Sequence, residues 1–494
     1  MIQCKNYING QFTGSRGETL ERRNPANTQE VVGVINQSGE DEINNAVSVA
    51  RNAFPAWRAI SRVRRGEYLD RLVQVLKRET ESFSRLVARE MGKNINEATA
   101  EVTEGIHMVQ YVVGTARTPF GDVVSSEIAE KDSFMRRKPK GVVAAITPWN
   151  FPFAIPFWLI APSVAEGNTV VFKPSKETSC TAQKLAECVH EVGFPPGVIN
   201  FIYGSGEKCG MPLVRHPDIP VVLFTGSAEI GQQIRKVCAE FPDKMCACEM
   251  GGKNAIIVLD DADMNLAVNA SVISAYKTSG QRCTAASRII VHKNRLKEFE
   301  KKFVEMSKRI RIGDPLDQNM FTGPVINETQ MNKVLNYNRL AKDEGARVLL
   351  GGARLTQGKL ANGYFLSPFV YRMTHNTKSR VLREEVFGPH VAIIPVNDLD
   401  RAIEVHNDTD YGLVCSVITE DFRKAREVRE RCDYGLGYWN LPTIGAEVHL
   451  PFGGVKKSGT GMPSASTLID VVTHRTAWTV NIPKKSTWQT AIGW

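Results

Sequence analysis

The sequence predicts an α/β protein with two twisted sheets, each flanked by helices, and a small β arm. Short β-branched runs alternate with amphipathic stretches along most of the chain. The alternation restarts after Gly251-Gly252, giving two series rather than one. Two stretches rich in β-formers, 115–137 and the end of the chain from about Val471, fit neither series. Strands alternating with helices favour a parallel sheet covered on both faces.

In chain order, helical periodicity covers 41–58, 64–90 and 93–111, and apolar runs at 141–146, 169–172, 198–202 and 221–224 read as buried strands. The second series places strands at 255–259, 288–291, 391–396 and 414–419. The resulting division is a first unit of 1–114 and 138–250, a second of 251–470, and an arm of 115–137 and 471–494. The uncharged stretch 141–165 is long enough to cross a bilayer, but Pro148, Pro152, Pro156 and Pro162 interrupt it. It reads instead as a buried strand, a loop and a helix beginning near Pro156, so no membrane partner is expected.

At 494 residues, with 42% hydrophobic and 23% charged residues, the chain has ordinary globular composition and room for two to four folding units. The net charge of +9 invites a search for a nucleic-acid stripe. The basic clusters Arg62/Arg64/Arg65, Arg136 to Lys140, Lys456/Lys457 and Lys484/Lys485 are short, scattered and free of interleaved aromatics, so none is expected. Ten irregularly spaced cysteines and the lack of an apolar leader after Met1 suggest free thiols in a reducing compartment, the cytoplasm by default. Cys246 and Cys248 lack a companion pair, and no metal is expected.

Three segments carry chemistry. Cys283, in Gly280-Gln281-Arg282-Cys283-Thr284-Ala285, is read at a helix start, where the dipole and Arg282 favour a thiolate; a packed thiol is the alternative. Glu249 ends an apolar strand before two glycines, where burial raises a carboxyl toward a useful base, unless it simply caps the next helix. Asn150, in Thr147-Pro148-Trp149-Asn150-Phe151-Pro152, offers an amide among bulky neighbours that cannot bond it, as a developing oxyanion requires; it could equally bond its own backbone.

These segments, in this order and at these separations, resemble the aldehyde dehydrogenase superfamily over essentially the whole chain. Further matching motifs are Lys173-Pro174-Ser175, Phe224-Thr225-Gly226-Ser227 with Gly231, Glu384-Glu385-Val386-Phe387-Gly388-Pro389, Pro451-Phe452-Gly453-Gly454 and Lys457-Ser458-Gly459. The resemblance implies a Rossmann-like cofactor domain, a catalytic domain and an oligomerisation arm for the three units above. It makes Cys283 the nucleophile, Asn150 the oxyanion donor together with the Cys283 N–H, and Glu249 the base that activates water against the thioester. The implied cofactor contacts are Ile146, Thr147, Pro148, Trp149, Lys173, Ser175, Lys176, Gly206, Thr225, Gly226, Ser227, Gly251, Glu385 and Phe387.

Two departures from the family pattern matter. Where NAD-preferring relatives carry a glutamate three residues after the lysine, this chain has Lys176, so NADP should be accepted as well as NAD unless the adjacent Glu177 turns inward. Met462-Pro463 stands where many relatives have an Arg-Glu pair, so no proton relay through that glutamate is available. Arg282 suits an anionic substrate tail, unless it only pairs structurally or tunes Cys283. The segments around Trp149 to Gly167 and Asn440 to Glu447 resemble the branch acting on 2-oxoglutaric semialdehyde, with phosphorylated glyceraldehyde and aminoadipic semialdehyde as competitors. Phe151, Trp158, Arg282, Thr284, Ile444 and Phe452 are the expected substrate contacts. A coenzyme A-acylating enzyme is the rival reading, and Glu249 argues against it. The apolar C-terminal stretch with Trp478, Trp488 and Trp494 suggests a homodimer or homotetramer.

Overall fold

The structure, a computed structural model, describes residues 1–463 and 467–481. The first sheet has eight strands in the order Gly459–Thr460, Met245–Met250, Val221–Gly226, Val142–Ile146, Thr169–Lys173, Ile199–Phe201, Asn6–Ile8 and Gln11–Thr13. The five from Met245–Met250 to Ile199–Phe201 are parallel, and the pairings beyond them are antiparallel. Val142–Ile146 and Thr169–Lys173 are buried at every residue, as strands covered on both faces must be. That is why they read as uninterrupted apolar runs.

The second sheet has seven strands, Arg347–Leu350, Phe369–Arg372, His390–Val396, Ala286–His292, Asn254–Val258, Val414–Ile418 and Leu436–Trp439, parallel except for the first. The chain crosses from sheet to sheet through Gly251-Gly252-Lys253, leaving the carboxyl end of one strand and entering the amino end of the next. The strand Gly459–Thr460, which the sequence reading put in the second unit, returns to pair with Met245–Met250 of the first sheet. A third sheet joins Lys131–Pro139 antiparallel to Thr473–Asn481 and to Val123–Val124, leaving Trp478 61% and Val123 90% exposed. Trp488, Trp494, Lys484 and Lys485 lie outside the described residues.

Two local expectations need correction. The periodic stretch 64–90 forms two helices, Arg62–Arg78 and Thr80–Met91, because Glu79 leaves helical geometry at φ −91° and ψ 6° with no Gly or Pro to announce the break. The strands Ile2–Cys4, Thr19–Asn24 and Asn27–Asn36 form a further sheet that the sequence reading did not anticipate. The 141–165 stretch is a strand, a loop and the wholly buried helix Ala154–Ala165. No helix among the described residues is long and apolar enough to cross a membrane.

Candidate active site

Parallel sheets bind ligands beyond the carboxyl ends of their strands. Ile146, Lys173, Thr225, Gly226 and Glu249 all fall at that edge of the first sheet, and Ile146 sits in register with both Lys173 and Phe224. A cavity of about 160 Å³ opens there, lined by Pro148, Trp149, Asn150, Thr225, Gly226, Ser227, Glu249, Gly251, Cys283, Glu385 and Phe387, with Ile155, Gln330 and Lys333. Ile146, Thr147, Lys173, Ser175, Lys176 and Gly206 belong to the same edge of the sheet or the turns that follow it but do not line this cavity.

Ser227 caps the helix Ala228–Cys238, its hydroxyl accepting from the Ile230 N–H. The helix seats tightly, since a Cβ on Gly231 would lie 2.3 Å from the Met250 sulfur. Glu385 accepts from the Gly252 N–H at 3.0 Å, and a Cβ on Gly251 would fall 2.1 Å from its carboxylate. Burial lifts the Glu385 carboxyl to about 6. Phe387 holds a left-handed φ of 63° and meets Trp149 edge-on at 5.5 Å. Gln330 pins its carbonyl at 2.7 Å. Gln330 and Lys333 went unread, since polar residues one turn apart on the amphipathic helix Glu328–Asp343 look like solvated surface.

The Cys283 loop follows a helix end rather than opening a helix. Met264–Tyr276 stops, Thr278 and Ser279 take φ of 55°, Gly280 takes 71°, and Cys283 lies in the turn before the strand Ala286–His292. The dipole argument for a thiolate therefore fails: the nearer helix terminus is a carboxyl end, of the wrong sign. Burial, then the carboxylates of Glu249 and Glu385, push the thiol well above its ordinary value, against the pull of Arg282. Gly280 is obligatory here, because a Cβ would strike the Gly388 carbonyl at 2.4 Å. Asn254, which has no role in the sequence reading, clamps the loop. Its amide donates to the carbonyls of Cys283 at 2.6 Å and Ala285 at 3.0 Å while its oxygen accepts from the Val414 N–H.

Glu249 is 1% exposed, and neither carboxylate oxygen has a hydrogen-bond partner. Burial first, then the charge of Glu385, raises its pKa well above the usual carboxyl range. The Asn150 amide donates to the Gln281 carbonyl at 3.0 Å, two residues before Cys283, rather than bonding its own backbone. Its own carbonyl accepts from Lys93 Nζ at 2.7 Å. Lys93 is fully buried, paired with Glu101, and stands 3.6 Å over the Phe151 ring. Glu101 in turn accepts from the N–H groups of Phe153 and Ala154, at 2.8 and 3.3 Å, satisfying donors at the start of the helix Ala154–Ala165. Sequence patterning hides this pair, since charged residues on an amphipathic pattern read as surface although Glu90 and Glu97 nearby are buried as well.

On its other side Cys283 lines a cavity of about 370 Å³, together with Phe151, Trp158, Arg282, Thr284, Ile444 and Phe452, the full set expected at the substrate. Glu97, Glu101, Glu104 and Lys277 line it too. Arg282 bonds Glu97 at 2.6 Å and Thr278 Oγ1 at 2.9 Å. Burial works against the charge of Glu97, but Arg282 and Lys277 outweigh it and hold this carboxyl below its ordinary value. Glu104 goes the other way, to about 7, through burial and the neighbouring Glu101.

A thiol bordering two cavities, one at the strand ends of a Rossmann-like sheet and one lined by aromatics, with a buried carboxyl on the first, fits the class of dinucleotide-dependent enzymes. The chain belongs to the aldehyde dehydrogenase family, which it matches over residues 12–477, and is an NAD(P)-dependent aldehyde dehydrogenase. It is 37% identical over 456 residues to alpha-ketoglutaric semialdehyde dehydrogenase of Bacillus subtilis, covering 92% of this chain and 93% of that one. Its fold is similar to betaine aldehyde dehydrogenase from Staphylococcus aureus solved in complex with NAD+, with a TM-score of 0.94, 32% identity, and 98% and 96% of the two chains covered.

Proposed function

We propose that this enzyme oxidises a semialdehyde with an anionic tail to the dicarboxylic acid through a thioester on Cys283. The observation that carries the reading is the position of Cys283 on the wall between the two cavities, so that one sulfur borders both. The strand-end cavity fits NAD(P): Thr225 presents a buried hydroxyl with no protein partner, and Ser227 opens a helix whose free N–H groups suit a pyrophosphate. When bound there, the dinucleotide accepts the hydride.

The residues divide the rest of the work. Cys283 adds to the aldehyde carbon, and the thiol proton leaves to solvent. Asn150 spends one amide N–H on Gln281, and the other serves the oxygen of the adduct, with the Cys283 N–H as second donor. Glu249 then takes a proton from water, which attacks the thioester and frees the thiol. Its raised pKa makes it a stronger base than an exposed carboxylate, and its lack of partners leaves both oxygens available. No proton relay through Met462-Pro463 enters this scheme.

Arg282 and Lys277 are the cations on the substrate cavity, and the semialdehyde relative named above supports an anionic tail. The cofactor choice turns on Lys176 and Glu177. Glu177 is engaged by Arg22 rather than facing the ribose site alone, and Lys176 is exposed, so NADP is accepted as well as NAD. The exposed arm residues Val123 and Trp478 support a homodimer or homotetramer, and the free cysteines support a reducing compartment such as the cytoplasm.

The test is turnover of a panel of semialdehydes and phosphorylated aldehydes with both cofactors, using parent, Cys283→Ala and Glu249→Gln. Cys283→Ala should abolish acid formation. Glu249→Gln should give one equivalent of reduced cofactor per site and then stall. Steady turnover by Glu249→Gln at the parent rate, or acyl-coenzyme A as product, would overturn the scheme.

A further inference from the structure

In the second sheet, outside both active-site cavities, three side chains converge that the reaction does not use. His406 ends the helix Leu399–Asn407, Cys415 lies on the strand Val414–Ile418, and Cys432 follows the helix Phe422–Arg431. One ligand atom from each lies within 4.8 Å of the other two. They are too far apart in sequence to form a local ligand motif, and the expectation of no metal had weighed only Cys246 and Cys248.

We propose that His406, Cys415 and Cys432 bind a thiophilic d10 divalent cation, Zn2+ being the one that suits two sulfurs and an imidazole. The independent observation is the state of the imidazole. His406 is 3% exposed, its Nε2 faces the Asp433 carbonyl at 3.3 Å, and its Nδ1 is buried with no partner. A neutral imidazole that donates through Nε2 carries its lone pair on Nδ1, so a buried acceptor is left unsatisfied. A ligating histidine has this arrangement, with the distal N–H held by a carbonyl and the other nitrogen free for the metal.

Charge fits as well. Two thiolates neutralise Zn2+, and the two thiol protons leave to solvent on binding. The nearest fixed cation, Arg288, is fully buried and spends its guanidinium on the carbonyls of Lys253, Val405 and His406. Those three carbonyls solvate its charge, which leaves the two thiolates to balance the metal cation. A cavity of about 220 Å³ borders Cys415 and brings solvent to one side of the cluster.

The test titrates Co2+ and Zn2+ into the reduced, metal-free full chain carrying Cys283→Ala, which removes the active-site thiol as a competing ligand. One equivalent of Co2+ should produce a thiolate-to-cobalt charge-transfer band that Zn2+ displaces. Cys432→Ser and His406→Gln should each weaken binding at least tenfold. Because Cys432 is only half-buried, its serine variant keeps the test decisive if His406→Gln does not fold. Absence of the band, or a band unchanged in Cys432→Ser, would overturn the proposal.

Discussion

Replacing Lys93 by methionine separates the architecture of the Asn150 loop from its chemistry. The Lys93 and Glu101 side chains are both 0% exposed, so removing the ammonium leaves a carboxylate buried with two backbone donors and no cation. Breaking one partner out of a buried pair costs about 3–5 kcal/mol. The methionine keeps the hydrophobic stem over Phe151, so most of the loss is electrostatic. The Asn150 carbonyl loses its donor in the same step. If the amide then swings wholly out of place, the rate loss approaches that of deleting an oxyanion donor, about 10²–10³. A partial shift should still cost tenfold or more. Urea unfolding measures the first effect, and single-turnover formation of reduced cofactor measures the second, with dinucleotide affinity as the control. The double variant Lys93→Met with Glu101→Gln removes the stranded charge. It should recover most of the stability and little of the rate, because the Asn150 carbonyl still has no donor. A Lys93→Met enzyme with the parent single-turnover rate would show that the loop holds its amide without the amine, and the positioning argument would fail.

Glu249→Gln should stabilise the protein at pH values above the usual carboxyl range by about 1–3 kcal/mol, because the amide stays neutral where the carboxylate must carry its charge buried beside Glu385. The folded pKa lies above the unfolded one, so the parent takes up a proton on folding between the two. Its stability falls as pH rises through that window, and the gap to the variant should close below the unfolded value; thermal melts across pH would show it, and a constant gap would refute it. Gly280→Ala should abolish activity and destabilise the fold, since the residue has φ +71° and its Cβ would meet the Gly388 carbonyl at 2.4 Å; normal turnover in a folded variant would contradict this. Lys176→Glu should shift the NADP-to-NAD ratio of kcat/KM toward NAD at least tenfold, and an unchanged ratio would remove Lys176 from cofactor selection.

The central parallel strands of both sheets were legible because burial on two faces writes continuous apolar runs into the sequence, as in Val142–Ile146 and Val414–Ile418, whereas outer strands such as Asn6–Ile8 and Arg347–Leu350 were not. Glu249 was legible for the same reason, as the first charge at the end of such a run. The Cys283 loop was misread as a helix start because nothing in Lys277-Thr278-Ser279 announces two left-handed residues. Threonine and serine are poor choices for that conformation, and only contacts distant in sequence impose it. Asn254, Gln330 and Lys93 were unread on similar grounds. Each acts on a segment far along the chain, through hydrogen bonds that no periodicity records.

Those distant contacts bear on how the substrate tail is recognised. Left-handed Thr278 and Ser279 each cost about 1–3 kcal/mol. The cost is met by Glu97, which accepts from both the N–H and the hydroxyl of Thr278, and by Thr322, which accepts from the Ser279 N–H. Arg282 completes that cluster by bonding Glu97 and the Thr278 hydroxyl. It therefore cannot turn away to meet a substrate without loosening the turn that carries Cys283. Under the proposed function, a carboxylate tail would be met by the guanidinium edge that Glu97 leaves free, with Lys277 supplying the second charge on the same wall. On this geometry Arg282→Lys loses the fixed fork and damages kcat as well as KM, whereas Lys277→Met raises KM for anionic aldehydes and leaves neutral ones nearly unchanged. Equal losses for charged and neutral aldehydes in Lys277→Met would place the tail elsewhere.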